Sequence, residues 1–141
     1  MPQDDICLGV FKMNLLVLLA IVGSLPNAQA KWEEIGKTGV GNPVYLDPRS
    51  VKKAADGIIT TTLRVVFVKP TATPQGPITA SRTTAMFDCV KKSVAVKENI
   101  YFHDEKKGTV FQRSAPVKPG YGTVIKGTLP DVAMGYLCAK Y

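Results

Sequence analysis

Three cysteines carry the most versatile chemistry in this chain: Cys7, Cys89 and Cys138. Cys89 lies in the stretch AMFDCVKKS, where it could be a nucleophile, a metal ligand or half of a disulfide. A cysteine nucleophile needs a nearby base, and a structural zinc ion needs four ligands. The chain has a single histidine, His103, within a charged stretch. These counts disfavour both catalysis and metal binding at Cys89.

Two other short motifs carry little chemistry. The stretch HDE, residues 103–105, occupies a predicted turn, and three sequence neighbours at a turn rarely converge on one metal ion. The stretch GVGNP, residues 39–43, precedes a predicted strand instead of a helix, so it does not form a phosphate-binding loop. The sequence also lacks GxSxG and HExxH motifs. We therefore predict no enzymatic activity, no metal centre and no cofactor.

The N-terminus determines the predicted compartment. An apolar core at residues 15–25 is followed by the small residues Ala28 and Ala30, a pattern typical of a secretory signal peptide over residues 1–30. The core is shorter than the about 20 apolar residues of a membrane-spanning helix, and no later segment could span. The sequence leaves the translation start open between Met1 and Met13. Because no cysteine follows the small residues of the cleavage region, lipid attachment is not evident.

Residues 31–141 fit a single domain. This mature chain keeps only Cys89 and Cys138, and paired thiols in an oxidising compartment normally become a disulfide. We therefore predict a Cys89–Cys138 bond.

Strands dominate the elements that would position these cysteines. In residues 57–70, apolar side chains at Ile59, Leu63, Val65 and Phe67 alternate with Thr60, Thr62 and Arg64, as a half-buried strand requires, and Pro70 is expected to end that strand. A second strand is predicted over residues 78–89, with Ala85, Phe87 and Cys89 on its inner face. Further strands are predicted at KWEEIG, PVYLD and SVAVKENIYF, with a bulge or bend near Val90 and a hairpin tip over residues 104–108.

The last fifteen residues predict a short helix. Thr128 and Asp131 resemble a capping box, and Pro130 is tolerated in a first helical turn. An apolar stripe is then predicted at Met134, Leu137, Cys138 and Tyr141. The fold class predicted from these elements is α+β, an antiparallel β-sheet with a C-terminal α-helix tethered to it by the disulfide.

Charge favours anionic partners. Removing residues 1–30 takes away Lys12, Asp4 and Asp5, which leaves 17 Lys and Arg against 9 Asp and Glu, a net charge of +8. Lysine pairs recur at 52–53, 91–92 and 106–107. They could form a basic binding patch or simply a solvated surface, because no pair extends into a longer run. Nucleic acid is not an expected partner, because export separates the protein from it.

Several stretches resemble the bacterial surface-adhesin protein E family: VYLDPRSV, SRTTAMFDC, YFHDEKKGTVF and the terminal LCAKY. The resemblance covers residues 43–141 and implies the same sheet, helix and disulfide. It also implies binding of host matrix or plasma proteins, such as vitronectin and laminin, through the region of the central strand. The basic residues in the matching stretch, residues 78–97, are Arg82, Lys91, Lys92 and Lys97. These four are the predicted ligand contacts.

We therefore expect an exported binding protein of a Gram-negative bacterium, in the periplasm or at the cell surface. Its predicted partner is a host extracellular matrix or plasma protein, or an anionic polymer. The alternative function is a soluble periplasmic structural or stress-related protein with no host ligand. The oligomeric state is left open by the sequence, which is compatible with a dimer.

The signal peptide leads to the first testable prediction. Mass spectrometry of the exported protein should show Lys31 as its first residue, because Ala28 and Ala30 are the small residues that signal peptidase selects. An intact N-terminus recovered in the membrane fraction would instead identify residues 1–30 as an anchor.

Overall fold

The computed structural model describes residues 32–141, so the predicted signal peptide and its cleavage site lie outside the described residues. The described chain forms eight β-strands and a C-terminal α-helix. These are β1 (Glu33–Lys37), β2 (Pro43–Leu46), β3 (Lys52–Lys53), β4 (Ile59–Thr71), β5 (Ile78–Asp88), β6 (Ser93–Asp104), β7 (Thr109–Ser114), β8 (Gly122–Thr123) and α1 (Leu129–Lys140). The predicted α+β class is confirmed.

The strands form one antiparallel sheet in the order β1-β2-β4-β5-β6-β7. The two short strands extend it, because β3 pairs with β4 and β8 pairs with β6. Strands of two residues carry no readable periodicity, which is why the sequence did not predict them. The strand β4 runs past the expected stop at Pro70 to Thr71, after an irregular register between Val66 and Thr71.

Alternation along the strands creates one inner, apolar face of the sheet, as predicted. Ile59, Leu63 and Val65 of β4 are buried on it, and Ala85 and Phe87 of β5 lie beside them. The helix α1 covers this face with Ala133, Met134 and Leu137, all buried. The predicted helix stripe is wrong at its end, because Tyr141 lies past the helix and is 40% exposed.

The start of α1 differs from the expected capping box. The hydroxyl of Thr128 donates to the carbonyl of Ile125 at 2.6 Å instead of capping the helix. Asp131 does reach back, but Oδ2 accepts from the backbone N of Gly127 at 2.9 Å. The carboxylate therefore fixes the loop before the helix. Its negative charge also interacts favourably with the positive, N-terminal end of the helix dipole.

A glycine lets the helix approach the first strand. Gly36 of β1 has φ +153°, and a Cβ built on it would lie 2.9 Å from Cγ1 of Val132. The same contact region includes a hydrogen bond of 2.9 Å from the hydroxyl of Tyr136 to Oε1 of Glu33. Nζ of Lys140 donates to that hydroxyl, and this bond raises the pKa of Lys140. The helix α1 thus packs against the sheet at its first strand, β1.

The predicted disulfide is present between Cys89 and Cys138, with Cα atoms 5.7 Å apart. Both cysteines are partly buried against the core. The bond joins the residue after β5 to the last turns of α1, so it fixes the helix on the sheet.

Removing the disulfide should loosen α1. In the chain-entropy description, closing the 49-residue loop stabilises the fold by at most about 4 kcal/mol. Urea denaturation of Cys138→Ala should therefore show a loss of up to that amount, and reduced wild-type protein should behave in the same way. An unchanged free energy of unfolding in the variant would show that packing alone holds the helix.

Candidate binding surfaces

The turn between β5 and β6 projects from the sheet. We call its residues Val90, Lys91 and Lys92 the 90–92 tip. All three are exposed, and Val90 is 93% exposed. The sequence predicted both lysines as ligand contacts and a bend at this position. The structure brings the two lysines together beside an apolar side chain.

The backbone of the 90–92 tip is held in place by its neighbours. Oδ1 of Asp88 accepts hydrogen bonds from the backbone N of Val90 and Lys91, at 3.1 and 3.0 Å. Lys92 takes the left-handed conformation, with φ 51°. Cys89, immediately before the tip, is bonded to α1. The backbone of the tip is therefore held in a fixed conformation, and the residue before it is covalently attached to α1.

Arg82 lies elsewhere, on the outer face of the sheet. Nε of Arg82 pairs with Oε2 of Glu105 at 2.9 Å, and Nε of Arg64 pairs with Oε1 of the same carboxylate at 2.5 Å. The Arg82 guanidinium also lies over the rings of Trp32 and Phe102, at 5.6 and 5.4 Å from their centroids. The positive charge of Arg82 thus takes part in contacts within the fold.

Glu105 has a structural role in this fold that the sequence did not predict. Its side chain is only 10% exposed, although it comes from the predicted hairpin tip. A signal for it existed, because Arg64 and Arg82 are cross-strand partners in the register of β4 and β5. Like charges directly opposite each other are destabilising, so such a pair calls for a buried counter-ion.

Lys97 occupies a third location. It is the extra residue of a β-bulge, because Thr84 pairs with Glu98 and Ala85 pairs with Val96. Its side chain borders a depression on the outer face together with Lys52 and Lys53. Of the four predicted contacts, the structure thus brings together only Lys91 and Lys92.

An apolar groove of about 410 Å³ lies on the inner face, where the start of α1 leaves part of the sheet uncovered. Its apolar lining includes Phe67, Tyr101 and Leu129. Two of its polar groups satisfy each other, because the hydroxyl of Thr83 donates to Oδ1 of Asn99 at 2.6 Å. No acidic, basic or thiol side chain of residues 32–141 lines this groove. It therefore provides a largely apolar surface for contact.

Among the side chains that the structure describes, no three His, Cys, Asp or Glu residues converge to hold a metal ion. No helix within residues 32–141 has the length and apolar character needed to cross a membrane.

Comparison with known proteins places these surfaces in context. Residues 32–139 match the family model of surface-adhesin protein E. A search of curated proteins found no match. Crystal form II of Haemophilus influenzae protein E superposes with a TM-score of 0.55 at 16% identity, covering 84% of this chain and 96% of the other. Protein E from non-typeable Haemophilus influenzae gives a TM-score of 0.52 at 17% identity, covering 84% and 83%. These similarities to solved structures show a common fold.

The buried carboxylate leads to a stability prediction. Glu105→Ala should lower the free energy of unfolding by about 2–3 kcal/mol, because two partly buried arginines would lose their counter-ion. Glu98→Ala is the matched control, since the Glu98–Arg113 pair is longer, at 3.8 Å, and more exposed. Its cost should stay below about 0.5 kcal/mol. Equal losses in urea denaturation would contradict a structural role for Glu105.

Proposed function

Because this chain belongs to the surface-adhesin protein E family, we propose that it is an exported binding protein of the cell envelope whose 90–92 tip contacts a host matrix or plasma protein. Membership of this family points to a non-enzymatic binding protein and implies an exported surface protein. The finer assignment, that the 90–92 tip makes the contact, rests on the geometry of this turn.

A single observation carries the proposal: the 90–92 tip is exposed, yet its backbone is fixed. Binding normally costs free energy for ordering loops and side chains at the interface, and a preorganised loop avoids part of that cost. Here Asp88 holds two backbone N–H groups of the tip, and the Cys89–Cys138 bond anchors its base. The tip can therefore present its side chains without first being ordered by the partner.

The side chains of the tip define the chemistry of that partner. Val90 offers an apolar contact that can fill a shallow pocket, and Lys91 and Lys92, which follow it in the chain, add two positive charges. Beside the tip lies a depression of about 560 Å³ bordered by Asp56, by Asp88, whose carboxylate is engaged with the backbone of the tip, and by Tyr121, which is 48% exposed. Tyrosine is enriched at the buried centres of interfaces. An acidic loop that also carries apolar side chains fits this combination.

The net charge of the mature chain supports the same class of partner. A charge of +8 attracts acidic surfaces over a distance and raises the rate of encounter. Exposed charges are screened beyond about 10 Å at 0.1 M salt. Association through the tip should therefore be slower at physiological than at low ionic strength.

Charge reversal at the tip tests the proposal. Lys91→Glu, Lys92→Glu should slow association with vitronectin or laminin by about tenfold in surface plasmon resonance, because steering depends on charges near the contact. The matched control is Lys106→Glu, Lys107→Glu, which makes the same change of charge at another exposed hairpin turn. Its effect should be about twofold, from the change in net charge alone.

Two outcomes would overturn the proposal. Equal slowing by both double variants would indicate general electrostatic attraction without a site at the tip. Absence of binding to either host protein, at low as well as physiological ionic strength, would favour a periplasmic structural or stress-related role without a host ligand.

A further inference from the structure

A second basic surface lies on the outer face of the sheet, away from the helix. We call it the outer basic groove, a depression of about 520 Å³ that crosses β3, β4, β5 and β6. Its charged residues are Arg49, Lys52, Lys53 and Lys97. Its floor includes Thr60, Thr62 and Thr84. Cations thus border a floor of hydroxyl groups.

The floor of the outer basic groove is held in a fixed arrangement. The hydroxyl oxygens of Thr62 and Thr84 lie 3.2 Å apart across β4 and β5. Oγ of Ser50 donates to the carbonyl of Asp47 at 2.6 Å and accepts from the backbone N of Thr62 at 2.9 Å. A hydroxyl group can both donate and accept hydrogen bonds. The threonines can therefore bond to an additional oxygen-rich ligand from a fixed position.

A β-bulge supplies the cation at one end of the groove. Lys97 is the unpaired extra residue between Val96 and Glu98 of β6, and bulges commonly redirect a side chain. Lys52, at the other end, is the cross-strand partner of Thr60. Lys52 lies on β3 and Lys97 lies on β6, with β4 and β5 between them. The groove therefore forms only when all four strands have paired.

The groove has a positive potential because no carboxylate of the described residues lines it. Two acidic residues next in sequence to parts of the groove, Asp47 and Glu98, are already engaged. Oδ1 of Asp47 lies 3.6 Å from Nε of Arg49 and accepts from the backbone N of that residue at 3.0 Å. Glu98, next to Lys97 in the chain, lies 3.8 Å from Arg113. An anion in the groove would meet cations without a competing negative charge in the lining.

The size of the groove selects an extended anion. Adjacent strands lie about 4.8 Å apart, so the step from β3 to β6 spans about 14 Å. A single sulfate or phosphate ion cannot contact both ends. A polymer with several anionic groups can contact both cationic ends while its own hydroxyl groups bond to the threonines.

We propose that the outer basic groove binds a linear sulfated polysaccharide. A nucleic acid is disfavoured because no aromatic side chain among residues 32–141 lines the groove to stack on bases. A lipid surface is disfavoured because the most exposed large apolar residues, Val40, Val90, Val117 and Ile125, all lie outside the groove. Sulfate groups can form ion pairs with the lysines, and sugar hydroxyl groups can form hydrogen bonds with the threonine hydroxyls of the floor.

This site is separate from the 90–92 tip and does not rest on the proposed function. Lys92 and Lys97 are five residues apart, which is about 16 Å along an extended strand. Binding at the groove and binding at the tip can therefore be abolished independently.

The test compares three double variants for binding of a defined heparin oligosaccharide, by isothermal titration calorimetry at low and physiological ionic strength. Lys52→Ala, Lys97→Ala removes one cation from each end of the groove and should weaken binding about tenfold, which corresponds to about 1.4 kcal/mol. Lys91→Ala, Lys92→Ala at the tip and Lys106→Ala, Lys107→Ala at the distant turn remove the same charge. Each of these two should weaken binding about twofold or less.

Mapping by NMR gives an independent readout on the wild-type protein. Heparin should shift the amide signals of Thr62 and Thr84 more than those of the 90–92 tip. Thr84→Val keeps the net charge while removing a hydroxyl from the floor, and it should also weaken heparin binding.

Several results would overturn the assignment. Equal losses in all three lysine variants would indicate non-specific attraction, and shifts confined to the tip would assign heparin to that surface instead. Binding of lipopolysaccharide vesicles that requires Lys52 and Lys97, without binding of heparin, would replace the polysaccharide with a lipid phosphate. Affinity for heparin no greater than for uncharged dextran would remove the site altogether.

Discussion

The fixing of α1 on the inner face of the sheet is the interaction on which the rest of this structure depends. Three features of different kinds make it: buried Ala133, Met134 and Leu137, the Cys89–Cys138 bond and the close approach at Gly36. Without the helix, the apolar face of β4 and β5 would be open to water, at a cost proportional to its area. The same bond also anchors the base of the 90–92 tip. Stability and the position of the exposed 90–92 tip thus depend on one covalent link.

Local patterns made much of this architecture predictable. Alternation over residues 59–67 identified the inner face, and the two cysteines of a chain predicted to enter an oxidising compartment identified the tether. The lysines of the 90–92 tip are sequence neighbours, so their proximity needed no knowledge of strand pairing. Features formed within about ten residues were therefore accessible from the sequence, and so was one long-range pairing, the Cys89–Cys138 bond, because no other cysteine remains in residues 31–141.

Features formed between distant strands were not accessible. Lys52 and Lys97 border one groove only because β3, β4, β5 and β6 pair in one register with a bulge at Lys97. Glu105 enters the outer face because its hairpin turn folds back toward Arg64 and Arg82. Strand order, bulges and the path of a turn follow from tertiary packing, which periodicity does not encode. For the same reason Arg82, basic and outward-facing in the sequence, is a partner of Glu105 in the structure.

The contact between the first strand and the helix also has a kinetic consequence. Tyr136 and Glu33 are bonded although 103 residues separate them in the chain. Chains dominated by contacts of large sequence separation fold slowly, because the entropy of closing long loops is lost before the contacts form. The hairpins β4–β5, β5–β6 and β6–β7 connect neighbouring strands and can form early, whereas α1 can dock only after both ends of the chain meet. The apolar inner face of β4 and β5 therefore stays uncovered until the two ends of the chain have met.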